Sequence, residues 1–467
     1  MRDTATFAGP GQSRAHARAA LVSSGDEIIT GQLLDTNAHW VAQRLLERGI
    51  IAQERATIGD DAETIARTLV RLGTEASLIV MTGGLGPTEG DLTRQGLALA
   101  LGEGLVRDEP AHAALEARLR ARGRPMTDLQ ARQSMRPVSA RCIENPNGTA
   151  PGLHAVLNAG TASACDVFCL PGPPGELKPM WGASVQPLLR PEAGRAVRTR
   201  VLQIVGVAEA DAVKRLGELT RRGRDPLVGI TASQGVLTLR LRSEHAGSVE
   251  AAERALDADE ASARAALGAH VFARGEVTLA RRVVELLVER GRRIALAESC
   301  TGGLVAKLVT DVAGASKVFE RGWVTYANGA KVEQLGVDAA LIERHGAVSP
   351  EVARAMALGA LERARADEAL AITGVAGPDG GSASKPVGTV WIALARRAPA
   401  ATRVPVDAQD ASGASGESIT TDVRRFVLPG GREDVRERGA RTALAMLYFA
   451  LVGDAEPVLL WQQERLP

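Results

Sequence analysis

Ser299 lies in the stretch 297–304 (AESCTGGL), between an apolar run at 293–297 that reads as a buried strand and a helical apolar spacing over 302–312. At such a junction helix N–H groups have no partner within the helix and can hold an anion or a developing oxyanion. The paired Gly302 and Gly303 leave room for a ligand to approach the backbone. The same stretch also reads as a Ser/Thr helix cap followed by flexible glycines, and taken alone it permits both. Cys300, the more reactive residue type, reads as a buried neighbour of the serine.

Three further pieces carry side chains that could serve such a serine. In 324–331 a strand ends at Tyr326, with Asn328 and Lys331 at the start of the next helix. A cation at a helix N-terminus is unfavourably placed, so its pKa falls, which suits a general base to a serine. The alternative is a solvated surface lysine. In 372–381 a strand runs into glycines, so Gly374 and Gly377 can cradle a phosphate while Thr373 donates to an oxyanion or orients the nucleophile. In 430–436 Arg432 or Arg436 can reach a phosphate where the final helix begins, or can be an ordinary surface arginine.

These pieces need a scaffold, and the pattern supplies alternating strands and helices. Residues 20–23 are apolar, 37–48 have helical spacing, and 78–82 form a buried strand ending in Gly83 and Gly84. The helix at 60–72 opens on paired aspartates that suit its N-terminus. Such alternation implies a parallel sheet covered by helices. Residues 130–181 are dense in Pro and Gly, with functional loops at 145–152 and 170–176. Strands at 201–205 and 237–241, with helices at 210–219 and 248–267, imply a small α+β domain. A last domain starts near 277 with helix 277–290. It continues through strand 323–326, a helix from Gly329, helix 350–365 capped by Ser349 with Pro350 first, and strands 369–373 and 389–395. Residues 398–421 read as a mobile insertion, and 1–19 as a disordered extension.

Bulk properties narrow the function classes. At 467 residues two to four domains are expected. The chain is 45% hydrophobic and 24% charged but only 3% aromatic, so Ala, Val, Leu and Ile must build the cores. A net charge of +1 without a basic, aromatic groove argues against nucleic acid as a partner. Four cysteines, Cys142, Cys165, Cys169 and Cys300, are too sparse for a disulfide framework and lack paired zinc spacing, which fits a reducing cytoplasm. No membrane partner is expected, because the N-terminal residues carry no apolar stretch.

Taken in order, 297–304, 323–331, 345–349 (HGAVS) and 372–389 resemble the C-terminal domain of the CinA family, the nicotinamide mononucleotide amidases. The resemblance implies hydrolysis of the nicotinamide mononucleotide carboxamide to nicotinate mononucleotide and ammonia, with no metal cofactor. It implies that Ser299 attacks the amide carbon, that Lys331 with Tyr326 manages the proton, and that Thr373 helps the oxyanion site. It also places Thr301, Gly302, Gly303, Asn328, Gly374, Gly377, Arg432 and Arg436 around the substrate. The insertion at 398–421 departs from the family's short connection.

The N-terminal half resembles the other CinA module, similar to molybdopterin-binding MoaB and MogA proteins. Residues 24–32, 35–37 and 82–93 carry this, and imply a nucleotide or phosphate site of Gly25, Asp26, Glu27, Thr30, Asn37, Gly83, Gly84, Gly86, Thr88 and Asp91. A glycine loop after a buried strand can wrap a phosphate, and Asp26, Glu27 and Asp91 could hold a divalent metal against it. The resemblance implies metal-dependent ADP-ribose pyrophosphatase activity, but Gly90 stands where the family has a second aspartate. Residues 206–210 resemble the family's linking KH-type domain, with a loop that departs from its usual Gly-Glu-Ser, and no RNA-binding role follows.

The expected fold class is therefore α/β multidomain. A three-layer α/β domain of MoaB/MogA type spans 20–190, a small α+β KH-type linking domain 191–274, and an α/β amidase domain 275–455. The leading activity is the amidase. The alternatives are the pyrophosphatase and a non-catalytic partner in competence or DNA-damage responses. A homodimer acting on small-molecule nucleotides in the cytoplasm is what the resemblance implies.

Overall fold

The structure is a computed structural model that describes residues 15–194, 197–244, 248–398, 418–453 and 457–466. The chain divides into two compact units, one formed by residues up to 198 with 243–254, the other by 199–242 with the remainder.

In the first unit, strands β1 (Arg18–Ser24), β2 (Ile51–Ile58), β3 (Leu78–Thr82), β6 (Arg141–Ile143), β7 (Gly152–Leu157) and β8 (Cys165–Leu170) form one sheet in the order β2-β1-β3-β8-β7-β6. Here β4 (Leu105–Arg107) and β5 (Met135–Pro137) pair as a separate ribbon. β2, β1, β3 and β8 run parallel. Side chains alternate faces along a strand, so an unbroken apolar run must be covered on both sides. Leu78 and Val80 of β3 meet Val41 and Leu45 of helix Thr36–Leu46, while Ile79 and Met81 meet Ile65 and Leu69 of helix Ala62–Glu75. The result is a three-layer sandwich. The latter helix starts two residues later than the sequence pattern implies, because Asp61 is its N-cap, accepting from the Thr64 N–H at 2.7 Å.

The expected N-terminal extension is corrected in part. Residues 1–14 lie outside the described residues, but Arg18 and Ala19 already belong to β1. His16 is 1% exposed, its ring 3.0 Å from the Asp166 carboxylate. His154 and Arg190 hold the same carboxylate.

The second unit has two sheets. β9 (Arg198–Val205), β10 (Leu227–Ser233), β11 (Val236–Ser243) and β12 (Val271–Arg274) form one in the order β10-β11-β9-β12, with helices Glu209–Leu216 and Val249–Leu267 in sequence between its strands. The sequence pattern missed β10, whose residues are mostly exposed or half-buried and give no apolar run, and the four-residue β12. The larger sheet is β14-β13-β15-β16-β17-β18, built from β13 (Ile294–Glu298), β14 (Phe319–Val324), β15 (Glu368–Gly374), β16 (Thr389–Arg397), β17 (Ile419–Val427) and β18 (Gln462–Leu466). Of the expected insertion, 399–417 lie outside the described residues. Residues 419–421 are β17, registered against Ala395, Arg396 and Arg397.

Alanine decides how this sheet is covered. One face presents Ala295, Ala297, Ala369, Ala371, Ala393 and Ala395 to Ala353, Ala357 and Ala360 of helix Pro350–Ala364. Small side chains on both partners allow a close approach. The other face presents Leu296, Leu370, Ile372 and Leu394 to helices Leu279–Glu289 and Arg432–Val452. β13 runs parallel to β14 and β15, with Glu298 opposite Val324 and Ile372. The chain therefore leaves three strands side by side at one edge, where crevices of open α/β sheets form. Among the described residues no helix is long and apolar enough to cross a membrane.

Candidate active site

Ser299 follows β13 directly, and its N–H donates to the Ile372 carbonyl at 2.9 Å, extending the strand pairing by one residue. Gly302 and Gly303 then take φ of 61° and 91°, left-handed values that glycine adopts without the strain a Cβ brings. The turn leads into helix Leu304–Thr310.

Lys331 lies in the first turn of helix Asn328–Leu335 and is only 1% exposed, so the solvated-lysine alternative fails. Its Nζ is 2.8 Å from the Thr325 carbonyl, 3.2 Å from the Tyr326 carbonyl and 3.2 Å from Ser299 Oγ. Burial lowers its pKa from the ordinary lysine value, against a smaller opposing influence of Cys300. A neutral amine has two N–H bonds and one lone pair. A neutral Lys331 that kept both N–H bonds on the carbonyls would turn its lone pair to the serine hydroxyl. The Cys300 thiol is buried, which pushes it up to about 12 and leaves it inert.

The helix mouth differs from the sequence expectation. Its N–H groups are already taken by the carboxylate of Glu298, a 1% exposed residue. Oε2 accepts from Gly303 at 3.0 Å and Val305 at 3.1 Å, and Oε1 from Ala306 at 2.8 Å. No donor is left there for an external anion among those three.

Tyr326 and Thr373 make contacts that the sequence pattern does not show. Tyr326 lies beyond the end of β14 and is 61% exposed, and its phenol accepts from Arg432 at 3.1 Å. The part of Tyr326 that meets Lys331 is its backbone carbonyl. Thr373 donates its hydroxyl hydrogen to the Ala347 carbonyl at 2.8 Å, so that hydrogen braces the 345–349 loop instead of serving an oxyanion. Thr301, fully buried, has an Oγ1 without a hydrogen-bond partner among the described residues.

The two arginines reach the loops beside the serine. Arg436 donates to the Thr301 carbonyl at 3.0 Å, and Arg432 to the Gly377 carbonyl at 2.7 Å. Leu304, Arg432, Glu433, Arg436 and Glu437 line a cavity of about 330 Å³. Gly374 ends β15, where an added Cβ would sit 2.7 Å from the Thr389 carbonyl oxygen, and Asn328 is an exposed helix-first residue. A larger cavity, about 910 Å³, lies between β11 and helix Leu279–Glu289; neither Ser299 nor Lys331 lines it.

In the first unit a cavity of about 670 Å³ brings together Gly25, Glu27, Asn37, Gly83, Gly84, Gly86, Thr88 and Asp91, but not Asp26 or Thr30. Thr30 donates to the Asp26 carbonyl at 2.6 Å, within its own turn. Asn37 donates to the Gly172 carbonyl at 2.6 Å, holding the 170–176 loop. Gly83 has φ 98°, and a Cβ there would collide with the Ser24 carbonyl.

Three aspartates in or beside this cavity, Asp91, Asp60 and Asp26, brace its loops. Asp91 accepts from the Gly86 N–H and Thr88 N–H, both at 2.7 Å, and from the Thr88 hydroxyl at 2.5 Å. Asp26 and Asp60 exchange bonds with each other's backbone N–H, and Asp60 accepts from Ser24 Oγ at 2.8 Å. Among the described residues no three His, Cys, Asp or Glu side chains gather as a metal array.

Sequence reasoning missed Asp60 as a cavity residue, having read it as a helix terminus. It also missed Arg118, which donates to the carbonyls of Asn145, Pro146 and Gly148 and holds the 145–152 loop. No sequence signal joins residues so far apart. Glu298 lies within 297–304, and an acid before a helix mouth is a sequence signal of its own.

Comparison with known proteins follows the same division. The chain matches the family models "Probable molybdopterin binding domain" over residues 20–191, "Damage-inducible protein CinA KH domain" over 199–273 and "CinA C-terminal domain" over 276–451. A relative from Symbiobacterium thermophilum, named for competence and damage induction, is 41% identical over 93% of this chain and 99% of its own. A CinA-like protein of Akkermansia muciniphila is 42% identical over 81% of this chain and 89% of its own. Among solved structures, a competence/damage inducible protein of Agrobacterium tumefaciens is 41% identical, covering 37% of this chain and 93% of that one, with a TM-score of 0.31.

Proposed function

The chain belongs to the CinA family, and from that premise we propose that its second unit hydrolyses the carboxamide of nicotinamide mononucleotide. One observation carries the reading: a buried amine whose other contacts are carbonyls stands 3.2 Å from Ser299 Oγ. This is the arrangement a Ser-Lys hydrolase needs.

In this reading Ser299 Oγ attacks the carboxamide carbon and its proton passes to Lys331 Nζ. The ammonium so formed returns the proton to the leaving nitrogen, and ammonia departs from the tetrahedral intermediate. Water then attacks the acyl carbon and gives a proton to Lys331. That proton returns to Ser299 Oγ as the ester bond breaks, releasing nicotinate mononucleotide. The buried Thr301 hydroxyl is the unpaired donor two residues from the nucleophile, and we assign it the oxyanion. Arg432 and Arg436 are assigned the nucleotide phosphate, since Glu298 already fills the helix mouth. The four free cysteines accord with the reducing cytoplasm in which we place this chemistry.

The first unit's glycine-lined cavity favours a second activity, binding of a phosphate ester or nucleotide. We assign it binding without pyrophosphate hydrolysis, because Asp91 is committed to its own loop.

The test is ammonia release from nicotinamide mononucleotide, with and without EDTA, by wild type and Ser299→Ala. Release that survives Ser299→Ala removes the nucleophile, and none from wild type removes the amidase. ADP-ribose with added magnesium, read as AMP, tests the first unit; rapid AMP formation there overturns its assignment as a binding site.

A further inference from the structure

Among the described residues the Glu298 carboxylate bonds backbone N–H groups and not the serine hydroxyl or the lysine amine, yet its bonds frame both. Its side chain closes the turn that begins at Ser299 by bonding Gly303, Val305 and Ala306. Its backbone carbonyl accepts from the Thr325 N–H at 2.8 Å. Thr325 in turn presents the carbonyl that holds Lys331 Nζ at 2.8 Å. One residue thus ties the exit of β13, the mouth of the next helix and the exit of β14.

We propose that Glu298 is the positioning residue of the nucleophile, a built-in anion that locks the 299–303 turn so that Ser299 Oγ stays within reach of Lys331. The physical reasons are two. A carboxylate this buried is retained only with full hydrogen bonding, and three backbone N–H groups supply it. The turn itself contains two left-handed glycines, Gly302 and Gly303, whose many accessible conformations need an external restraint. A displacement of about 1 Å at a reacting group can cost on the order of a hundredfold in rate. The inference rests on Ser299 being the nucleophile but not on the identity of the substrate.

The experiment measures Ser299 itself. An alkyl fluorophosphonate is attacked by Ser299 Oγ: the P–O bond forms, the P–F bond breaks, fluoride leaves, and the serine proton passes through Lys331 to solvent. Labelling of the full-length protein is followed by intact mass, with Ser299→Ala as the blank. Glu298→Gln keeps the volume but places an amide NH2 against backbone donors. Its labelling is expected to be at least about tenfold slower at a temperature where circular dichroism shows it folded. A folded Glu298→Gln that melts lower yet labels at the wild-type rate shows a brace of the fold alone and overturns the proposal. Should Glu298→Gln not fold, Ala306→Pro decides. It removes one of the three donors in the helix's first turn, where proline is tolerated, and labelling at the wild-type rate again overturns it. Wild type that labels at Ser299 but releases no ammonia from nicotinamide mononucleotide removes the amidase reading and leaves this one standing. Wild type that does not label removes both.

Discussion

Lys331 Nζ stands 3.2 Å from Ser299 Oγ, although the two residues are 32 positions apart and leave different elements of the sheet edge. Burial keeps that amine below the ordinary lysine range, and a base must be unprotonated to accept. Below its titration midpoint the amine carries a proton and the rate falls; above it the rate levels off. For the amidase, kcat/KM is therefore expected to rise with pH through a midpoint below the ~10.4 of a free lysine. Lys331→Arg keeps a charge that cannot be given up, and is expected to lose about 10²–10⁴-fold. A pH profile that falls over the same interval removes the amine as base.

Thr301 and Thr373 separate by which atom each hydroxyl meets. Thr301→Val is expected to reduce kcat by about 10²-fold with little change in KM, the cost of one oxyanion donor. Thr373→Val breaks only the bond to the Ala347 carbonyl. It is expected to cost about 1 kcal/mol of stability, read by urea titration, and to leave kcat within a few-fold. The reverse pattern restores Thr373 to the oxyanion.

Arg432 and Arg436 are expected to be felt through the phosphate. Each charge-assisted bond is worth about 1.5–3 kcal/mol. Arg436→Met should therefore reduce the preference for the mononucleotide over the riboside lacking phosphate by about ten- to a hundredfold. Tyr326→Phe removes an exposed phenol and should change kcat about twofold or less. Comparing kcat/KM for the two substrates in the three proteins checks both.

Asp166 anchors the start of the first unit's sheet. Burial acts to raise its pKa, but hydrogen bonds from His154 and His16, with the charges of His154 and Arg190, prevail and hold it well below the usual carboxylate range. The unfolded chain binds the proton more readily, so this stabilisation is present above the free-carboxylate value of ~3.9 and is lost as pH falls below it. Asp166→Asn is expected to cost about 3 kcal/mol at pH 7. The difference from wild type should narrow as the solution is acidified below pH 4. Hydrogen exchange of the β7 and β8 peptides reads it, and a gap independent of pH would remove the ionised carboxylate as its source.

The pattern of elements was legible because burial writes itself into local sequence. β3 and β13 are apolar up to their last residues, Ser349 and Pro350 open a helix by their own geometry, and the C-terminal sheet's alternating Ala and larger aliphatic residues show its two faces. β10 was not legible, since its mostly exposed or half-buried residues show no apolar run. Within the site, Ser299, Gly302 and Gly303 announced themselves by sitting where strand, turn and helix signals meet.

Which atoms meet was decided by tertiary structure alone. Nothing in the sequence says that the Tyr326 phenol turns to Arg432 while its carbonyl turns to Lys331, or that Thr373 spends its hydrogen on Ala347. Nor does it say that Glu298 fills the helix mouth the sequence left open for a ligand. A sequence encodes periodicity and residue type, which fix the elements and the supply of donors and acceptors. Hydrogen bonds form over about 3 Å, so their pairing depends on how strands and helices distant in the chain come to rest against one another.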